Sequence, residues 1–128
     1  MDRLEFDDVE VTYELRGRGA PVVLVHASAF VSWYGPLLDQ LTNVSALRYR
    51  RRLPRSDAGG FRPLTVADDA EICARLMDHV GWERAHIVGH SYGALVALQL
   101  ALDRPDRVAS VALLEPAARG IARSEEVL

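Results

Sequence analysis

Gly89-His90-Ser91-Tyr92-Gly93 narrows what this chain can fold into more than any other stretch. A short apolar run, Ala85-His86-Ile87-Val88, leads into it, and a helix-forming run from Ala94 to Leu102 follows. A G-x-S-x-G pattern between a strand and a helix makes a sharp turn that holds the serine hydroxyl out, with backbone N–H groups behind it. Glycine is needed on both sides because side chains there would collide with the neighbouring strand and helix. Five residues alone recur by chance, and an ordinary Gly-rich strand-to-helix turn is the competing reading. The strand before and the helix after favour the elbow.

The remaining elements alternate in the same way. Val9 to Leu15 alternates with period two, as a half-exposed strand should. Gly17-Arg18-Gly19 turns the chain, and Pro21 to His26 is a continuous apolar run suited to a buried parallel strand. Ser32 and Pro36 are start signals for a short helix through Leu41. Ala46 to Arg50 is a weak strand candidate. Thr65 with Asp68 forms a capping-box-like start, after which Val66, Asp69/Ala70, Cys73, Leu76, Met77 and Val80 keep helical spacing until Gly81. Val108 to Leu114 is the last strand. Alternating β and α units predict an α/β fold, with a mainly parallel sheet, flanking helices and right-handed crossovers.

On these residues the chain resembles the α/β-hydrolase family. Pro21 to His26 resembles the strand leading into the family's His-Gly loop, and Trp82 to Ala94 is close to its wording around the serine. Asp103 to Val108 and Leu113-Leu114-Glu115-Pro116 resemble the segments that open and end the next strand. The likeness runs over about residues 9 to 118, in the order of the first half of such a domain. It implies Ser91 as nucleophile and the Tyr92 backbone N–H as first oxyanion donor, with the second from the loop after His26, at Ser28. His26 would brace that loop. Where the family has glycine next, this chain has Ala27, whose methyl group disfavours a positive φ. Glu115, at the carboxyl end of the last strand, is either a triad acid or simply part of a Leu-Glu-Pro strand ending. Serine at the elbow fits esterases, lactonases, acyl and C–C-bond hydrolases and related acyltransferases. It disfavours the family's aspartate-using dehalogenases and epoxide hydrolases.

The family's order of serine, acid and histidine is not completed. Only 37 residues follow Ser91 and none is histidine, while His26, His79, His86 and His90 all precede it. His90 is expected to pack beneath the turn, His86 to sit packed or partly exposed on its strand, and His79 to lie on the surface at a helix C-terminus, where the dipole favours it. A chain of 128 residues, 49% hydrophobic, suffices for one small domain with its own core. It is short for this fold. Residues 1–128 are therefore read as a single α/β-hydrolase domain, incomplete at its C-terminal side, with a cap segment beginning near 117–128.

Other chemistry finds little support. Arg48, Arg50, Arg51, Arg52 and Arg55 cluster around Tyr49, but a net charge of −3 and a pI near 5.8 argue against a nucleic-acid surface. A solvated loop is the expectation, with Gly59-Gly60 and Pro63 marking a flexible stretch in the same loop. No P-loop, dinucleotide fingerprint or metal-ligand spacing is present, so no cofactor or metal is expected. Cys73 falls on an apolar helix face, and one cysteine allows no internal disulfide and suits a reducing compartment. The start lacks a signal-peptide layout, and no apolar run spans a bilayer. A cytoplasmic protein acting on a small ester-type molecule, with no membrane partner, is the default.

Two readings stay open. One is a serine hydrolase of ester, lactone or acyl type represented by its nucleophile half. The other is a non-catalytic binding module on a truncated fold of this kind. Either way, Val108 to Leu114 carries no charge and no proline, and without a further strand beside it would be a bare edge open to self-association or a complementing half.

Overall fold

A computed structural model describes residues 2–27, 34–52 and 56–117. Six strands form one sheet: β1 (Asp2–Phe6), β2 (Val9–Arg16), β3 (Ala20–Val25), β4 (Val44–Arg52), β5 (Ala85–His90) and β6 (Val108–Leu114). Among the described residues three α-helices accompany them, α1 (Gly35–Gln40), α2 (Val66–His79) and α3 (Tyr92–Asp103), with a short 3-10 turn at Pro105–Arg107. The sheet order is β1-β2-β4-β3-β5-β6. The β1, β2 and β4 strands pair antiparallel, whereas β4, β3, β5 and β6 run parallel. This is the α/β arrangement expected from the alternation of elements.

Two apolar layers hold the sheet. On one face Val11, Tyr13, Val23, Leu47, Tyr49 and Ile87 meet Cys73, Leu76 and Met77 of α2 and Val96, Ala97 and Leu100 of α3. On the other face a smaller cluster joins Val22, Leu24 and Ala46 to Tyr34 and to Leu38 of α1. Thr65 caps α2 as expected, its hydroxyl accepting from the Asp68 N–H at 3.0 Å while the Asp68 carboxylate accepts from the Thr65 N–H at 2.9 Å. Gly81 follows that helix at φ +80°, a left-handed position where glycine carries no Cβ penalty. Cys73 is fully buried, and burial pushes its thiol up to about 12, so it is an inert core residue.

Three expectations need correction. The N-terminal strand β1 was not anticipated; it pairs with β2 alone, and Phe6 is its only buried residue, so it leaves almost no periodic signal. The weak strand at 46–50 is a nine-residue strand, Val44–Arg52. Arg48, Arg50, Arg51 and Arg52 therefore stand on a strand rather than in a solvated loop, and antiparallel pairing with β2 supplies acidic partners for two of them. Arg48 donates to Glu14 at 2.7 Å, and Arg52 lies 4.0 Å from Glu10. Arg55 and Ser32 lie outside the described residues, and α1 begins at Gly35 with Pro36 in its first turn.

Candidate active site

The turn between β5 and α3 has the strain its sequence implies. Ser91 sits at φ +54° and ψ −112°, a region costing an ordinary residue on the order of 1–3 kcal/mol. Its flanking glycines leave no room for a side chain. A Cβ at Gly89 would lie 2.7 Å from the Ala94 Cα, and one at Gly93 would lie 2.8 Å from the His26 carbonyl oxygen and press on the Val25 carbonyl. Removal of either glycine would force backbone, not side chains, to move.

Hydrogen bonds fix the serine from two sides. The Ser91 N–H donates to the Leu114 carbonyl at 2.9 Å, and the Ser91 carbonyl accepts from Ala94 at 3.1 Å and Ala117 at 3.3 Å. The segment after β6 thus folds back against the elbow, which brings Glu115 beside it. Glu115 is exposed and has φ +47°. Ser91 makes no side-chain cap to α3, so its hydroxyl is not spent on the helix N-terminus.

Tyr92 is anchored from below. Its phenol donates to Asp69 Oδ2 at 2.6 Å, and the Arg51 guanidinium lies 5.9 Å from the ring centroid. Asp69 is only 3% exposed and is gripped by Arg51 through two hydrogen bonds, Nε to Oδ1 and, at 3.0 Å, Nη2 to Oδ2. Burial, then the contact with Asp69, pushes the Tyr92 phenol up to about 12. A buried carboxylate is tolerated only when paired and fully hydrogen-bonded, and here both partners approach the turn. Neither Asp69 nor Arg51 was singled out as a site residue from the sequence. The available signal was an acidic residue inside the apolar spacing of α2.

His26 is half-buried, its Nδ1 hydrogen-bonded to the Ala27 carbonyl and its ring edge-on to Tyr49 at 6.5 Å and 67°. Burial lowers its pKa, which keeps the ring neutral, and a carbonyl partner requires the proton on Nδ1. With Val25, Tyr49, Arg51, Asp69, Tyr92 and Val96 it lines a narrow crevice beside the elbow. Ala27 is buried and does not adopt a left-handed backbone. Ser28 lies outside the described residues, so the second expected donor has no described position.

The other histidines are engaged elsewhere. His79 bonds the Tyr13 hydroxyl at 3.1 Å. His86 bonds Ser110 Oγ at 2.7 Å, a serine–histidine contact at the opposite end of β5 from Ser91, roughly 16 Å along the strand. His90 is buried beneath the turn, 9% exposed. Among the described residues no group of three or more His, Cys, Asp or Glu is placed to hold a metal, and no helix is long and apolar enough to cross a membrane.

A mixed, mainly parallel sheet in this strand order, with a strained serine between β5 and α3, defines an α/β architecture. The family model described as "alpha/beta hydrolase fold" matches residues 50–126, and the chain belongs to that family. The chain is 39% identical, over 91% of its own length and 32% of the relative's, to the dihydrolipoyllysine-residue acetyltransferase component of the acetoin cleaving system of Cupriavidus necator. It is 29% identical, over 91% of its length and 43% of the relative's, to the 2-hydroxy-6-oxo-6-phenylhexa-2,4-dienoate hydrolase of Comamonas testosteroni. Among solved structures, a hydrolase from Pseudomonas aeruginosa superposes with a TM-score of 0.75 at 27% identity, covering 98% of this chain and 52% of that one. The chain thus spans about a third to a half of the length of these relatives. They are hydrolases and acyltransferases.

Proposed function

We propose that this chain carries the nucleophile half of a serine hydrolase of ester, lactone or acyl type, acting in the cytoplasm. The left-handed Ser91, held between two glycines that admit no Cβ, is the observation that carries this reading. Ser91 Oγ would attack the substrate carbonyl, giving a tetrahedral oxyanion held by the Tyr92 N–H and a second donor at Ser28. His26 and Ala27 support that loop, and Glu115 is the acid available beside the elbow. Collapse of the intermediate expels the alcohol, and water then releases the acyl group. On this reading the base that takes the serine proton comes from residues outside this sequence: no histidine follows Ser91, and of those before it His79 and His86 are bonded to Tyr13 and Ser110.

This reading predicts weak chemistry from the isolated chain. Triad members act as a unit, and losing one costs about 10⁶-fold in rate in the best-measured case. Turnover of a p-nitrophenyl acetate by the chain, compared with Ser91→Ala, is expected to be slow and barely above the variant. Fast turnover that vanishes in Ser91→Ala would show that an upstream histidine serves as base and would overturn this assignment. The non-catalytic alternative leaves the strain at Ser91 without a purpose.

The same reading extends to assembly. Among the described residues β6 pairs only with β5, and its Ala109, Ser110, Ala112 and Leu113 are exposed. This uncharged edge is a template for another strand, and the isolated chain is expected to associate through it. Val111 packs against the core, so Ala112→Lys is the cleaner probe. Light scattering over a dilution series should show association for the native chain and its loss in Ala112→Lys. A compact monomer at high concentration, unaffected by the lysine, would rule this out.

A further inference from the structure

The antiparallel end of the sheet carries a second concave site, on the face opposite α2. Strand register places Arg3 beside Thr12 and Thr12 beside Arg50. Residues directly opposite one another share a face with Cβ atoms roughly 5 Å apart, so the three form one row across β1, β2 and β4. The next row toward the carboxyl end of β4 joins Glu5, Glu10 and Arg52, with Glu5 at its outer edge. Together with Phe61 these residues, Glu5 excepted, line a concavity of about 500 Å³.

Its charge is not balanced. Glu10 is the only carboxylate in the lining and is shared, 3.7 Å from Arg3 and 4.0 Å from Arg52. Neighbouring Arg48 is neutralised by Glu14, and Arg51, which also lines the concavity, is held by Asp69 from the other face. Arg50 makes no ion pair with any described residue and is exposed. Three guanidinium groups against Glu10, with Glu5 just outside the lining, leave the concavity net positive. Phe61, also in the lining, is apolar and 58% exposed.

We infer that this concavity binds a phosphate monoester carrying a small aromatic or apolar substituent. Guanidinium forks match phosphate oxygens in pairs, and Arg3 and Arg50 flank the Thr12 hydroxyl so that all three can donate to one phosphate. A dianion is drawn to this positive row more strongly than a monocarboxylate, and its oxygens can engage more than one guanidinium at once. The substituent rests on Phe61. The chain's net charge of −3 confines the attraction to this locality, which suits a small anion rather than a polyanion. Nothing in this site depends on Ser91. The site does lie level with the elbow, because the paired rows run from Arg48 through Leu24 to Val88. Two residues further on, Arg50 and His90 are at the same height, two strand spacings or roughly 10 Å apart.

Phosphorus-31 NMR of phenyl phosphate, titrated with the full chain, tests this, with inorganic phosphate and benzoate as comparison ligands. Saturable binding is expected, tighter for phenyl phosphate than for inorganic phosphate and weakest for benzoate. Arg50→Gln should weaken it roughly tenfold or more, the worth of a charge-assisted hydrogen bond. Arg18→Gln, an exposed arginine in the β2–β3 turn outside the concavity, should leave it unchanged. Phe61→Ser should bring phenyl phosphate down to the level of inorganic phosphate. No saturable change up to tens of millimolar, or equal weakening by Arg50→Gln and Arg18→Gln, would overturn the site. Indifference to Phe61→Ser would overturn the place assigned to the substituent.

Discussion

Gly93→Ala is expected to destabilise the fold by about 3 kcal/mol or more, the upper end of what overpacking costs. The added methyl group meets the carbonyls of Val25 and His26, which are backbone atoms fixed in the β3 ladder and its exit. Relief requires α3 to lift from the sheet, and the apolar contacts of Val96, Ala97 and Leu100 go with it. For a chain of this size the melting temperature should fall by roughly 10 °C or more. Gly35→Ala is the control: a Cβ there meets nothing within 4 Å and should change stability little. Thermal unfolding followed by circular dichroism compares the two. Equal melting temperatures would mean that α3 does not sit as closely on β3 as described.

Arg51→Met should cost about 3 kcal/mol, because it leaves the Asp69 carboxylate buried with only the Tyr92 phenol for company. Breaking a buried pair from one side typically costs 3–5 kcal/mol. The lower end is chosen because the Arg51 side chain is itself 18% exposed. The double variant Arg51→Met/Asp69→Leu removes the orphaned charge and should recover much of the loss, retaining the smaller cost of an unpaired phenol. Urea unfolding of the single and double variants reads both effects. A single-variant loss under about 1 kcal/mol would show that water reaches Asp69 and that the pair does not brace the turn.

The parts of this structure legible in the sequence are those where one physical requirement dominates. Gly89 and Gly93 announce the elbow because nothing larger fits, and Thr65 with Asp68 announces α2 because the cap needs those groups at that spacing. The period-two run at Val9 and the apolar runs at Pro21 and Val108 mark strands whose burial is decided by the sheet. Strand β4 was harder to read because its arginines are satisfied by residues distant in sequence: Glu14 lies 34 positions from Arg48, and Asp69 lies 18 from Arg51. A run of positive charge looks like loop until those partners are known. Strand β1 escaped for the opposite reason, since an edge strand with one buried residue needs little hydrophobicity to hold its place. At the candidate site, Ser91 and Tyr92 were readable as a local pattern. The Asp69–Arg51 support beneath them was not, because it is assembled from three separate elements.

The bonds that tie Ser91 to Leu114 and Ala117 also have a bearing on time. The residue that completes the turn's hydrogen bonding lies 26 positions after the serine, beyond α3 and all of β6. Strand β5 and helix α3 can form from local contacts, but a torsion that the surroundings must hold in place waits for a closure of that span, which is slower than helix formation. The turn's strain is therefore expected to be held only once that closure has formed. The strained torsion of the turn is expected to be among the last features set, after β6 has docked.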